Sequence, residues 1–137
     1  LWAKYWVGTV PLLILALVGC GVFNSREGDR KEAFDNFVKY LRYQLYPAAG
    51  SYFTPDLRQE FLDRMEQVKG LNITDVRLVR VDVREDGGRV DARLEMDYYL
   101  LPSVTVKTLR IDQVWRYRED PLEGRGFFIT TPFPAFP

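Results

Sequence analysis

The 137-residue sequence contains no histidine and only one cysteine, Cys20. The first absence removes the side chain that most often acts as a general base and as a transition-metal ligand. The second excludes an intramolecular disulfide. Zinc, haem, Ser-His and Cys-His chemistry are therefore not expected, and neither a cofactor nor a metal is indicated. Acid–base work would fall to carboxylates alone, and no pair of them is marked out as catalytic. An excess of charge is missing as well. The 19 Lys and Arg balance 19 Asp and Glu, and because only Lys4 precedes residue 24, the rest of the chain carries 18 basic against 19 acidic groups, a net of −1. That balance predicts no nucleic-acid partner and no polybasic lipid-binding arm.

Ionisable groups are also absent from a long stretch near the start. Between Tyr5 and Arg26 the thiol of Cys20 is the only one, and Trp6 to Phe23 is a run of 18 residues. As a helix it would span roughly 27 Å, close to the thickness of a bilayer's hydrocarbon core. Trp2, Lys4, Tyr5 and Trp6 cluster at one end, as membrane-interface anchors do. Residues 1–23 are thus expected to be a transmembrane anchor or an uncleaved signal segment, with Pro11 kinking the helix. With Lys4 held on the cytoplasmic side, the folded part lies in the periplasm of a bacterium, tethered to the inner membrane. Leu17-Val18-Gly19-Cys20 resembles the bacterial lipobox, which implies a different outcome: cleavage before Cys20, lipidation of that residue and an outer-membrane lipoprotein carrying a ligand-binding or enzymatic domain. We favour the retained single-pass anchor, with the bilayer and other subunits of a membrane complex as partners.

The whole chain is 47% hydrophobic and 15% aromatic, and the part after the apolar run is of ordinary size for one core. Residues 24–28 read as a polar linker. Asp29-Arg30-Lys31-Glu32 follows as a capping-box variant that starts a helix, and Phe34, Phe37, Val38, Leu41 and Leu45 supply its apolar stripe. Pro47 and Gly50 end it. Thr54-Pro55 starts a second helix, whose stripe is Leu57, Phe61, Met65 and Val68, with Gly70 at a left-handed C-terminal turn.

From Thr74 the period changes to two. Val90, Ala92, Leu94, Met96, Tyr98 and Leu100 alternate with charged residues, and Glu85-Asp86-Gly87-Gly88 marks a hairpin. That hairpin sets Val83 opposite Val90, Val81 opposite Ala92, Val79 opposite Leu94 and Arg84 opposite Arg89. Phase slips between Leu78 and Val79, and between Val106 and Leu109, predict two β-bulges that curve the sheet. The expected concave face carries Val81, Val83, Val90, Leu94, Met96, Ile111 and Trp115, with Gln113 and Thr108 as its only inward polar groups. A short last strand, Phe127 to Thr131, completes a four-strand antiparallel meander.

The fold class expected is therefore α+β: an N-terminal transmembrane helix, then two helices packed on a curved four-strand antiparallel sheet over residues 29–131. In element order this resembles the small α+β rolls of the NTF2-like or cystatin-like kind found in bacterial lipoproteins and periplasmic modules. The superfamily includes both enzymes and scaffolds, so the resemblance carries no active site. Asn72-Ile73-Thr74 reads as a polar turn, and Tyr40, Tyr43, Tyr46, Tyr52 and Phe53 as an aromatic cluster of the core or its rim. The tail 132–137, Pro-Phe-Pro-Ala-Phe-Pro, is expected to be extended. Its two rings, Phe133 and Phe136, either dock on a neighbouring subunit or fold back over their own domain.

Overall fold

A computed structural model describes residues 21–137, with side chains from residue 26. Three helices precede four strands: α1 Gly21–Arg42, α2 Tyr46–Gly50, α3 Pro55–Gln67, β1 Leu71–Arg84, β2 Arg89–Leu100, β3 Lys107–Asp120 and β4 Gly124–Ile129. The strands form one antiparallel sheet in the order β1-β2-β3-β4. No helix among the described residues is long and apolar enough to cross a membrane. The expected anchor over residues 1–23 falls almost wholly outside them.

The expected linker 24–28 is helical, because α1 begins at Gly21. Arg26, Glu27 and Arg30 are compatible with a helix, Glu27 and Arg30 pair one turn apart at 3.9 Å, and the lone Gly28 adds only about 1 kcal/mol of cost. The far end of α1 closes with Gln44 in the left-handed region at φ 56°. Leu45 N–H bonds to Tyr40 O at 2.8 Å and Gln44 N–H to Leu41 O at 3.0 Å, which is the Schellman pattern. Leu45 consequently leaves the stripe and is exposed. Pro47, expected to end α1, instead lies in the first turn of α2, where its missing N–H costs nothing. Thr54 and Pro55 do start α3, and Gly70 is left-handed at φ 73°. A Cβ on Gly70 would lie 2.9 Å from the Leu101 carbonyl oxygen, so both conformation and space require glycine there.

The hairpin register is as the sequence predicts for Arg84↔Arg89, Val83↔Val90 and Val81↔Ala92. The Val79↔Leu94 pairing is not formed. Val79 is an extra residue between Leu78↔Leu94 and Arg80↔Arg93, and Thr74 is a second between Ile73↔Tyr98 and Asp75↔Asp97. The bulge at Val79 matches one predicted slip. The other does not exist, since Val104 and Val106 lie in the exposed connection before β3, whose pairing with β2 is continuous. With both bulges, Leu71, Ile73, Val76, Leu78, Val81 and Val83 all take the inner face.

The core lies between that face and the helices. Phe34 and Phe37 meet the Trp115 ring edge-on at 4.7 and 5.5 Å, and Phe53 stacks on Phe61 at 4.6 Å. Val90, Leu94, Met96, Ile111 and Trp115 are buried as expected. Val81 and Val83 are not, at 38% and 48% exposed. The rings of α1 pack on Trp115 of β3 and on Tyr52 and Phe53, while Val83 on the outer half of β1 shares only an open hollow with Arg26, Glu27 and Arg30 of α1.

Candidate interaction surface

The outer face of the sheet shows how its charges are used. Arg77 on β1 donates to Asp97 at 2.6 Å, Asp75 at 2.9 Å and Glu95 at 3.1 Å, and the Thr108 hydroxyl donates to Asp97 at 2.6 Å. Thr108 is therefore on the outer face, against the expectation that it points inward. Arg93 and Arg110 share Asp112, Arg84 and Arg89 share Asp91, and Arg80 holds Asp82 at 2.7 Å. The arginines keep the carboxyls of Asp75, Asp91, Asp97 and Asp112 below the usual range. Like charges do stand directly opposite in the register, but each finds a diagonal or same-strand partner, so the lattice is satisfied and solvated. Exposed pairs of this kind are worth about 0–1 kcal/mol each, and nothing in them concentrates a reactive group.

The inner face is filled by rings. Its polar exceptions are Gln113, whose Oε1 accepts from Trp115 Nε1 at 3.0 Å while Nε2 has no partner, and the Tyr98 hydroxyl, also unpartnered. Burial pushes the Tyr98 phenol above its ordinary value. Tyr98 pairs with Lys107 and Gln113 with Ala92, so six residues of strand separate the two groups and they do not form one site. No cluster of potential metal ligands occurs among the described residues.

Of the residues singled out from the sequence, Trp2, Lys4, Tyr5, Trp6 and Cys20 lie outside the described residues. The structure places Phe133 and Phe136 on their own domain. Phe133 is buried against Phe61 at 5.3 Å, its carbonyl accepts from the Arg64 guanidinium, and Phe136 meets Tyr98 edge-on at 5.1 Å. Docking of these rings on a neighbour is thus replaced by the fold-back alternative, because the groove between Phe61 of α3 and Tyr98 near the end of β2 is apolar and within reach of β4's end. Asn72-Ile73-Thr74, expected as a polar turn, lies instead within β1, with Ile73 in the core and only the Asn72 side chain bonding back to Gly70 O at 3.1 Å. Tyr52 and Phe53 join the core, and Tyr43 is exposed.

What the sequence reading missed is the pair of sheet edges. Beside β4 runs the segment 52–54: Ile129 N–H bonds Tyr52 O at 2.7 Å, and Thr54 N–H bonds Ile129 O at 3.1 Å. The first half of β1 is covered by side chains, Gln44 bonding Leu71 O and Ile73 N–H, and Arg42 bonding Val76 O at 2.8 Å. From Leu78 to Val83 nothing among the described residues covers the edge, and Leu78, Val79, Val81 and Val83 are exposed there. Alternation of apolar and charged residues had marked these valines as core, and only the path of α1 shows otherwise.

The fold is similar to that of VirB8. The Agrobacterium tumefaciens VirB8 protein superposes with a TM-score of 0.52 at 12% identity over 78% of this chain and 90% of that one. TraE protein, solved in complex with 4-(1H-pyrrol-1-yl)pyridine-2-carboxylic acid, gives 0.51 at 14% identity over 79% and 92%. At such identities the likeness is one of fold, and it agrees with the NTF2-like α+β roll expected from the element order. The sequence matches no protein-family model and no curated protein.

Proposed function

We propose that this chain is a non-catalytic subunit of a larger bacterial membrane complex. Its N-terminal apolar run is the single-pass anchor in the inner membrane, and its roll domain makes docking contacts in the periplasm. The observation that carries the reading is the filled interior: Trp115, Phe37, Phe53, Phe61 and Tyr98 occupy the space between helices and sheet where a substrate would sit. The polar side chains of the sheet are spent on one another outside it. The shared fold with VirB8 and TraE supports the same reading. Solubilising membranes in mild detergent and identifying what co-purifies with the full chain tests it: recovery of the chain alone, under conditions that preserve other membrane complexes, rejects it.

A second reading, lipidation at Cys20 and an outer-membrane lipoprotein, is favoured by Leu17-Val18-Gly19-Cys20. Intact mass separates the two. A mature chain starting at an acylated Cys20 establishes the lipoprotein, and retention of residues 1–19 the anchor.

A further inference from the structure

The bare half of β1 combines an open edge with a charge pattern that can pair with itself. Its sequence, Val79-Arg80-Val81-Asp82-Val83, is complementary to itself when read in opposite directions. We propose that this edge pairs antiparallel with β1 of a second copy of the chain, about a twofold axis through Val81, so that two four-stranded sheets join into one of eight. This goes beyond membership of a complex and does not depend on it.

Charge selects the register. With Val81 opposite Val81, Arg80 of each copy faces Asp82 of the other, and Val79 faces Val83. A shift that keeps side chains on their own faces moves the axis by one residue: centred on Arg80 it sets Arg80 against itself, and centred on Asp82 it sets Asp82 against itself and Arg80 against Arg84. Parallel in-register pairing also stacks like on like. Directly opposed like charges destabilise a pair of strands and opposite charges stabilise it, so one register stands out.

The backbone is ready for this pairing. The groups on Leu71, Ile73 and Val76 that Gln44 and Arg42 cap point away from β2. By the same alternation, continued through the bulge at Val79, those of Val81 and Val83 also point outward and are uncapped among the described residues, so Val81 and its twofold mate exchange two N–H···O bonds. An exposed, apolar, unpaired edge is the feature that folded domains ordinarily block, as this one does beside β4 and at the start of β1. A seam of five residues is small beside a standard interface of about 1,600 Å², so the dimer is weak in dilute solution. Co-localisation in one assembly raises the local concentration and favours it.

The test traps a transient dimer. The full chain in mild detergent carries Val81→Cys in a Cys20→Ser background and is treated with a short bismaleimide, beside a Val104→Cys control at an exposed position away from the edge. Cross-linking at 81 is expected to exceed the control at least about tenfold. Adding Arg80→Asp or Asp82→Arg should each abolish the excess, and the double exchange should restore it, because opposed residues again carry opposite signs. Melting temperatures verify that each variant folds. Differently tagged chains carrying Val79→Cys and Val83→Cys give a second, heterologous cross-link by the same geometry. Equal rates at 81 and 104, or an excess that ignores both single exchanges, overturns the proposal.

Discussion

Individual side chains in the core differ in what their removal reveals. Leu94 is enclosed between Leu78 and Ile111 in the register and is almost fully buried, so Leu94→Ala should cost about 2–5 kcal/mol in urea unfolding. Phe133 lies near the end of the sequence, yet it is as buried as the strands, and Phe133→Ala should cost about 3 kcal/mol in the same measurement. A loss under ~0.5 kcal/mol would mean that the tail leaves its groove in solution. Tyr98 makes the opposite case. Its hydroxyl is buried without a partner, so Tyr98→Phe removes a desolvated group and nothing else, and stability should stay level or rise by up to about 1 kcal/mol. Gly70→Ala combines a positive φ with a close approach to Leu101, and should cost more than the ~1 kcal/mol typical of an incompatible backbone alone.

At the scale of elements, the strands were legible because each carries a period of two and the Glu85–Gly88 turn fixes the register of β1 on β2. The inner face of β2 and β3 follows directly from residue parity. Legibility fails where an outcome depends on another element's path. Val81 and Val83 alternate as core residues do, but whether anything lies over them is decided by α1, whose stripe turns toward Trp115. Likewise, a Pro-rich tail reads as extended from its own composition, while its destination is set by the apolar groove beside Phe61. The N-terminal start of α1 was hidden because a helix continuing through Asn24 to Gly28 needs no cap there, and the sequence displays a cap-like box at Asp29 that goes unused as a boundary.

For the whole molecule, the charge lattice sets the response to pH. Hydrogen bonds from Arg77, Arg89 and Arg93 hold the carboxyls of Asp97, Asp91 and Asp112 low, and backbone N–H groups of Glu123 and Leu122 do the same for Asp120. A group whose folded pKa is depressed contributes stability above the unfolded value, near 3.9 for Asp, and loses it as pH falls through the folded value. The melting temperature should accordingly be flat through neutrality and drop below about pH 4, with Asp97→Asn showing a shallower acid limb. On the alkaline side the lattice does not titrate, because every ion pair among the described residues is made by an arginine.

That choice of guanidinium over ammonium also determines where reagents can be attached. The lysines of the described residues, Lys31, Lys39, Lys69 and Lys107, take no part in these pairs and lie on α1, the α3–β1 turn and the start of β3. Within the described residues, amine-reactive dyes, biotin or solid supports will therefore couple to the helical side and the near end of the domain. The sheet's outer face and the bare length of β1 are left chemically untouched, presented outward from whatever surface the protein is fixed to.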